Sequence, residues 1–591
     1  MSRIKLSLIA VLFIAVAGCG SSEAPSETPA ADYAPPITLF VAQELITMSD
    51  KIPGRTNAVA VQNGKILAVG DKEPMLQKYG DQPGFTVNET FADKIIAPGF
   101  IEPHLHIWLG GILMGSEFIT PADWHFPHGS AQGVQSEEAY MARLREVEAN
   151  HPEGKPLLTW GYHQYFHGQN MSRSTLDEVS AERPIIVWHR SFHELYFNTA
   201  ALEMFGWTEE FWSGDLPAYD QLVWEKGHAF EAGGKIILPD VLGFLVESGL
   251  FEEGTRRTKR YVHAGGITTA IDPGVVMTLE QYQMMVDILT ETDLPMEYWL
   301  IPAGNFTHAA GGYDAEKGKA LAEVQTAEFA GVGTVQWLPK FIKLFSDGAM
   351  YSQLMHLKDG YIDGHEGEWL QTPEELEDSM RPYWQDDYTI IVHANGDAGL
   401  AAAADVVDTL KSEYDRDDHR TSYHHLGIVD TADIPRIVEQ GSNFSVNPYY
   451  THILAENYSE NGIGPERAEV MSRGRSILDA GGILSLHSDA LMAPAEPLAI
   501  VWAAVNRIGL SGETVMGPSE RITVDEAMRG ITIDAAYTGR MEDRIGSIDV
   551  GKDANFAVLD ANPYRVPAET INNIKVEATI FRGQVFPVAT P

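Results

Sequence analysis

The residues of this chain best suited to chemistry are two histidines that follow a short apolar run. The run IIAPGFIEPHLH (95–106) ends in His104 and His106. Alternate residues of a strand point to the same face, so both side chains can converge on one point. Neutral imidazole is a common ligand of zinc-like metals. A single His-x-His pair is more often an ordinary surface or core feature, so a metal site needs further ligands downstream.

Further residues of a metal-binding type lie on or at the ends of later apolar runs. Each of them has an ordinary explanation, because core histidines bond to carbonyl groups and an aspartate after a strand often caps the next helix. Their shared position at one end of predicted strands favours a common metal site instead. These residues are Lys343, His393, His425 and Asp489.

Lys343 is the most informative of these residues because it lies inside the apolar run FIKLF (341–345). An unpaired ammonium there would cost several kcal/mol, and a buried lysine tends to lose its proton. A neutral amine can take up carbon dioxide and become a carbamate, an anionic bridge between two metal ions. The alternative is an ion pair between Lys343 and a buried carboxylate such as Asp347.

The elements that must position these residues are short β-like runs separated by helical patterns. This alternation favours an α/β fold with a parallel sheet. Eight runs predict a closed (β/α)8 TIM-like barrel over residues 96–545, with the active-site groups at the carboxyl ends of its strands. The runs lie within residues 95–106, 266–273, 296–304, 341–348, 389–397, 421–429, 443–448 and 483–489.

Two further regions do not fit the barrel alternation. Strand-like runs at 37–95 and 546–591 predict one β-sandwich domain built from both chain ends. Residues 110–254 are too long for a simple loop and contain many aromatic residues and histidines. We interpret them as an inserted subdomain over the barrel mouth that supplies a substrate pocket.

The N-terminus has the pattern of an export signal. Residues 1–19 contain a basic start and an apolar run too short to span a membrane, and they end at Cys19, the only cysteine. The segment resembles a bacterial lipoprotein signal whose cysteine is lipidated, with a plain secretory peptide as the alternative. Residues 20–36 are rich in Ser, Pro, Ala and Glu, which predicts a disordered linker. The expected location is the bacterial cell envelope, at the outer membrane facing the periplasm.

The charge of the chain limits its partners. The sequence contains 83 acidic and 42 basic residues, for a formal net charge of −41. Nucleic-acid binding needs a basic face, so this composition argues against it. An acidic, solvated surface is the simple explanation, and it identifies no substrate.

Several motifs, taken together and in order, resemble the amidohydrolase superfamily. They are PGFIEPHLH, FIKLFSDGA, IVHANGD, HHLGIVD and HSDALMAPAEPL, with GSIDVGKDANFAVLD near the C-terminus. More narrowly they resemble the YtcJ-like branch, which includes N-substituted formamide deformylases. The resemblance covers the chain from Ile37 to its end. It implies a distorted (β/α)8 barrel, a sandwich from both chain ends, and one or two divalent metal ions, usually zinc.

The resemblance also implies roles for individual residues. By motif position, Lys343 would be a carboxylated bridge, and Asp489 would be both a ligand and the catalytic base. The segment SFHELYFNTAAL resembles a recurrent His…Asn segment, which makes His193 and Asn198 candidates for substrate binding. The remaining ligands would be His104, His106, His393 and His425.

The chain departs from the family pattern at four positions. Glu102 replaces the usual aspartate before the His-x-His pair, and Asn395 occupies a position that relatives fill with an apolar residue. His424 stands where many relatives have glutamate, and His487 stands where glycine is common. These departures affect the expected substrate more than the expected metal binding.

The expected reaction is hydrolysis of a C–N bond in an amide or an N-substituted formamide. A metal-activated hydroxide would attack the carbonyl group, and Asp489 would act as the base. Alternatives are a deaminase, a lactone or ester hydrolase of the same superfamily, or a non-catalytic surface lipoprotein that binds a ligand. The aromatic-rich insertion favours a small-molecule substrate with an aromatic or apolar group.

Overall fold

A computed structural model of the chain describes residues 35–52, 55–214 and 217–588. The predicted signal segment with Cys19, and the predicted linker up to residue 34, lie outside this description. Among the described residues, no helix combines the length and the apolar character needed to cross a bilayer.

The β-strands of the described residues form five sheets. They are β1 Ile37–Leu45, β2 Ala58–Gln62, β3 Lys65–Gly70, β4 Thr86–Pro98, β5 Phe100–Glu102, β6 Glu117–Phe118, β7 Trp124–Phe126, β8 Gly129–Ala131, β9 Leu157–Tyr162, β10 Ile185–His189, β11 Glu194–Phe197, β12 Leu222–Val223, β13 His228–Phe230, β14 Ile267–Val275, β15 Glu297–Pro302, β16 Val335–Trp337, β17 Phe341–Phe345, β18 Thr389–Ala394, β19 Ser422–His425, β20 Asn443–Val446, β21 Leu484–Leu486, β22 Phe556–Leu559, β23 Val576–Phe581 and β24 Gln584–Pro587.

Most of the α-helices lie between the strands of the central region. They are α1 Lys72–Tyr79, α2 Ile107–Leu113, α3 Glu137–Asn150, α4 Gln164–His167, α5 Arg173–Asp177, α6 Thr199–Met204, α7 Glu231–Glu247, α8 Leu250–Ala264, α9 Leu279–Leu289, α10 Gly304–Ala310, α11 Ala315–Glu328, α12 Pro373–Gln385, α13 Asp397–Glu413, α14 Ile434–Gln440, α15 Tyr449–Asn461, α16 Pro465–Glu469, α17 Arg475–Asp479, α18 Pro497–Asn506, α19 Val524–Gly530 and α20 Ile533–Thr538. Short 3₁₀ helices cover Pro217–Gln221, Trp224–Lys226, Pro518–Glu520 and Ala568–Asn573.

Strands from both chain ends form one seven-stranded sheet in the order β24-β23-β22-β4-β1-β2-β3. β4 joins the strands of the N-terminal region to those of the C-terminal region, because it pairs in parallel with β1 and antiparallel with β22. Alternate side chains of a strand face opposite sides, so Phe40 and Val41 enter separate hydrophobic clusters. The expected sandwich therefore takes the form of a single sheet that buries apolar residues on both faces.

The eight runs proposed as barrel strands lie in two parallel sheets. One has the order β16-β15-β14-β5 and the other β17-β18-β19-β20-β21. β16 is an additional short strand that the sequence pattern does not single out. A parallel bridge between Ala303 and Lys343 links the two sheets. At the other side, Asp489 N donates to His104 O at 3.0 Å and His106 N donates to Ala490 O at 3.1 Å.

The central strands and helices have the sequence features their positions require. β18 is buried at every residue, which is typical of a parallel strand covered on both faces. α12 begins with a capping box between Thr372 and Glu375 and has Pro373 in its first turn. Signals of this kind mark where the helices between the strands begin. Because a helix connects one parallel strand to the next, the carboxyl ends of the strands lie at the same edge of the sheet.

Residues 110–254 contain a sheet of their own, in the order β12-β13-β11-β10-β9-β6, and the hairpin β7-β8. β9 and β10 pair in parallel in this sheet. Residues 190–193 connect β10 to β11, and residues 191–193 line the cavity described below.

Candidate metal centre

Four strand ends bring the predicted ligands together. His104 and His106 follow β5, His393 lies one residue before the end of β18, His425 ends β19, and Asp489 follows β21. In the register of β18 and β19, His393 lies opposite His424 and Ala394 opposite His425. Parallel strands end at the same edge of a sheet, so these side chains meet there.

The carboxylate of Asp489 lies at the centre of this cluster. Its Oδ1 atom is 3.7 Å from His104 Nε2 and 3.4 Å from His106 Nε2, and its Oδ2 atom is 3.5 Å from His425 Nδ1. Potential ligand atoms of His104, His106 and Asp489 lie within 4.8 Å of one another. The same spacing holds for His104, His425 and His487. Such a set suits a small cation bound by nitrogen and oxygen.

The Nδ1 atoms of His104 and His106 each have a polar partner that orients the imidazole ring. His104 Nδ1 and His424 Nδ1 are 2.6 Å apart. Asp272 Oδ1 accepts a hydrogen bond from His106 Nδ1 at 3.0 Å and its Oδ2 accepts one from Ile107 N at 2.8 Å. A partner on one ring nitrogen directs the other nitrogen towards a metal. Here the directed atoms are the Nε2 atoms of His104 and His106, which face Asp489.

Three buried atoms of the cluster have no hydrogen-bond partner in the described part of the chain. They are His104 Nε2, Lys343 Nζ and Asp489 Oδ1. A buried polar atom without a partner is costly, and metal coordination is one way to satisfy it. The residues present therefore fit a divalent metal ion.

The protonation states also suit metal binding. Burial lowers the pKa of His104, His393 and His425 well below the ordinary value, because the charged ring loses its hydration. Neutral imidazole is the form that binds metals. Burial lowers the pKa of Lys343 to about 7 and raises the pKa of Asp489 to about 6. Lys343 can therefore reach its neutral amine form near neutral pH.

The alternative of an ion pair between Lys343 and Asp347 is wrong. Asp347 instead accepts hydrogen bonds from the backbone N–H groups of His356, Asn395 and Gly396, at 2.8–2.9 Å. Its carboxylate thereby holds the loop after β18. Lys343 is left on the cavity side of β17, with Nζ 5.2 Å from the centre of the Phe345 ring.

The departures from the family pattern surround the ligands. Glu102 accepts hydrogen bonds from Ser488 N and Ser488 Oγ, both at 2.8 Å, and so ties β5 to the segment before Asp489. Asn395 Nδ2 lies 2.9 Å from His393 Nε2. The Nε2 atom of His487 is 3.3 Å from the Nδ1 atom of His425. These side chains position ligands and are additional members of the site.

A largely apolar cavity of about 230 Å³ opens from the ligand cluster towards the insertion. The aromatic side of its wall starts at Trp108, 6.4 Å from the His106 ring. Phe192 contacts Trp108 edge-to-face and stacks on Trp188 at 4.4 Å. Leu195, Leu238, Leu242, Phe345 and Met350 complete much of the wall.

His193, a predicted substrate-binding residue, lies in the cavity wall. Its Nδ1 atom is 2.9 Å from Glu231 Oε2, and Glu231 N donates to His193 O at 3.0 Å. This pair of contacts sets the direction of the imidazole ring. His193 therefore presents a fixed polar group in an apolar chamber.

Asn198 is not part of the cavity, which corrects the prediction of a substrate-binding role. Its Oδ1 atom accepts hydrogen bonds from Ile185 N and Ala201 N, and its Nδ2 atom donates to Ser180 O and Arg183 O. The side chain caps α6 and joins it to β10, so its polar atoms are used within the insertion.

Asp272 is a residue of the site that the motif comparison missed. It lies near the end of β14 and fixes His106. The signal was present in the sequence, because an acidic residue inside the run GITTAIDP is unusual in a buried strand. His424 and His487 were noted only as departures, and the geometry places them beside the ligands.

The family model for the amidohydrolase family matches residues 92–587, most of the chain. This protein belongs to the amidohydrolase family. The match confirms the predicted family and the expectation of a hydrolase.

Three relatives match along nearly the whole chain. The protein LONG AFTER FAR-RED 3 of Arabidopsis thaliana is 24% identical, over 93% of this chain and 91% of that protein. The protein YtcJ of Bacillus subtilis strain 168 is 23% identical, over 90% of this chain and 96% of that protein. The N-substituted formamide deformylase of Arthrobacter pascens is 24% identical, over 89% and 94%.

A solved structure of an uncharacterized metal-dependent hydrolase from Pyrococcus horikoshii OT3 has a similar fold. The TM-score is 0.66 at 19% identity, over 90% of this chain and 99% of that chain. The similarity supports the α/β architecture of the amidohydrolase family.

Proposed function

We propose that this protein hydrolyses the C–N bond of a small amide or N-substituted formamide that carries an apolar or aromatic group. One observation carries this proposal: a buried His–Asp cluster with unpaired ligand atoms lies at the end of an aromatic-walled cavity. The deformylase relative, by its name, acts on N-substituted formamides. We also propose that the two parallel sheets are parts of one closed (β/α)8 barrel.

The proposed metal ligands are His104, His106, His393, His425 and Asp489, and zinc is the expected ion. A bound divalent ion would supply Lewis-acid chemistry by lowering the pKa of a water ligand towards about 7. Lys343 is proposed to be carboxylated, because its buried amine reaches the neutral form that reacts with carbon dioxide. A carbamate would place an anion beside the ligands and would satisfy the otherwise unpaired Nζ atom.

Asp489 is the proposed proton carrier. Its Oδ1 atom has no hydrogen-bond partner among the described residues, and three histidine rings surround the carboxylate. Asp489 would accept a proton from the attacking water and deliver it to the departing nitrogen, a role worth about 10²–10⁴-fold in rate. His193, held by Glu231, would orient the substrate carbonyl. The aromatic wall would exclude water and bind the apolar substituent.

A hydrolysis screen tests the proposal. Metal-loaded protein would be offered N-formyl and N-acyl amines with benzyl and with methyl groups, together with esters, lactones and aminopurines. We expect cleavage of an amide, with the benzyl compounds preferred, and we expect Asp489→Asn to abolish it. Turnover confined to esters, lactones or aminopurines would contradict the proposal and identify one of the other reactions.

We further propose that the protein is a lipoprotein attached to the outer membrane through Cys19. The support is the lipoprotein-like end of residues 1–19. Stable anchoring needs more than one acyl chain, because a single chain binds a membrane marginally. Cys19→Ser should move the protein from the membrane fraction to the soluble fraction. Unchanged membrane partitioning would contradict the anchor.

A further inference from the structure

Arg190 carries a buried positive charge with an unusual environment. It lies in the insertion, directly after β10, and its side chain is 2% exposed. Its guanidinium group lies over the rings of Trp160 and Tyr351, at 4.4 Å and 4.5 Å from the ring centres. Its side-chain hydrogen bonds among the described residues go to two carbonyl oxygens, to the Tyr351 hydroxyl and to Met492 Sδ, and not to a carboxylate. Aromatic faces and carbonyl dipoles thus replace the usual ion pair.

The carbonyl oxygens that Arg190 binds belong to the turn that carries the proposed base. Nη1 donates to Leu491 O at 3.2 Å and Nη2 donates to Met492 O. Tyr351 OH donates to the same Met492 O at 2.7 Å. These carbonyl groups lie two and three residues after Asp489. Arg190 and Tyr351 therefore hold the residues that follow Asp489 in this turn.

The turn needs such support because of its backbone. Asp489 has a φ of 53°, in the left-handed region that residues other than glycine rarely adopt. Strained conformations at functional sites persist only where the surroundings over-determine them. The bond from Asp489 N to His104 O fixes one end of the turn. The contacts of Arg190 fix the other end.

We propose that Arg190 is a positioning residue that holds the Asp489 carboxylate in the orientation needed for metal binding and proton transfer. The insertion would then contribute to the chemistry as well as to the pocket wall. The kinetic part of this inference rests on the proposed function, and the metal-binding part does not.

The test replaces Arg190 with methionine, which has similar length and no charge, and with lysine. Arg507 supplies a matched control, because it is equally buried and also donates to backbone carbonyls, those of Glu469, Met471, Ser472 and Met516. Zinc affinity is measured by competition with a chelator, and kcat and KM are measured on the amide from the screen. Circular dichroism and thermal unfolding report the folded state of each variant.

We expect Arg190→Met to lower kcat about 100-fold with KM within about threefold, since small misplacements of catalytic groups have this effect. Zinc affinity should fall about tenfold, as for other residues that orient ligands. Arg190→Lys should recover part of both, and Arg507→Met should lower only thermal stability. Equal losses in Arg190→Met and Arg507→Met, or unchanged zinc affinity and kcat in folded Arg190→Met, would overturn the inference.

If folded Arg190→Met cannot be obtained, Arg190→Lys alone decides: kcat and zinc affinity equal to those of the unsubstituted protein would overturn the inference. If the protein cleaves no amide but the zinc result holds, only the proposed function fails. If the protein binds no zinc, both fail.

Discussion

The ligand cluster and the inserted subdomain face the same cavity, but the chain positions their residues in different ways. The ligands follow regular parallel strands, so the register of β18 and β19 places His393 and His425 at one edge. The cavity wall of the insertion depends on connections between elements, such as residues 190–193 between β10 and β11, whose course is set by no strand register. Residues on regular strands can be located from sequence spacing. Residues on such connections cannot.

The same difference predicts different consequences of mutation. A side chain in the ligand cluster acts on the reacting atoms, so its loss should lower kcat and metal binding. A side chain in the wall contacts the apolar part of the substrate, so its loss should raise KM. A side chain such as Asn198, bonded within the insertion, should affect stability alone.

Among the substitutions at Lys343, Phe192 and Asn198 that test this difference, the largest effect is expected for Lys343→Ala. Removing the proposed carbamate should lower kcat about 10³-fold, the order expected for a group that acts in the transition state, and should remove one metal equivalent per chain. Short carboxylic acids at high concentration should restore part of the activity by replacing the missing anion. Metal analysis and steady-state kinetics measure both effects.

Lys343→Arg provides the control for this prediction, because arginine keeps its charge and cannot form a carbamate. It should be as inactive as the alanine variant, and carboxylic acids should not rescue it. Full metal content and full turnover in Lys343→Ala would show that Lys343 is not a ligand bridge.

A smaller effect is expected for Phe192→Ala. Phe192 lies between Trp108 and Trp188 in the wall, and losing its ring should raise KM for benzyl substrates about tenfold, or about 1.4 kcal/mol of binding. The KM for methyl analogues should change less. Phe211, which belongs to the same insertion but is 40% exposed, is the matched control position. Equal changes of KM in Phe192→Ala and Phe211→Ala would show that the aromatic wall does not bind the substrate.

The smallest effect on catalysis is expected for Asn198→Ala. The substitution leaves four backbone groups without their partner, each costing about 1–3 kcal/mol when buried, so stability should fall clearly. Chemical denaturation measures this loss. The kcat/KM of the folded variant at 25 °C should stay within about threefold of the unsubstituted value. A selective rise in KM with unchanged stability would restore Asn198 as a substrate-binding residue.

Much of the ligand cluster could be predicted from the sequence for a physical reason. His104, His106 and Asp489 all come shortly after apolar runs, so the ends of the predicted strands indicate where these residues lie. The family motifs then order these residues in one site. The α/β alternation likewise follows from local patterns of apolar residues.

Other features depend on contacts that no local pattern carries. The pairing of His424 with His104 joins residues 320 positions apart, and that of Arg190 with Met492 joins residues 302 apart. For Asn198 the local pattern was misleading. A motif indicated a place near the substrate, but its hydrogen bonds join β10 to α6 inside the insertion. The joining of β4 to β22 is a similar long-range contact.

The most direct test of the central claim is zinc content measured together with amide hydrolysis while a chelator removes the metal. We expect activity to fall in proportion to the metal removed and to return when zinc is restored, and we expect His104→Ala to hold less zinc and to stay inactive. A metal-free preparation that hydrolyses the amide at the full rate would contradict the proposed metal centre and the mechanism built on it.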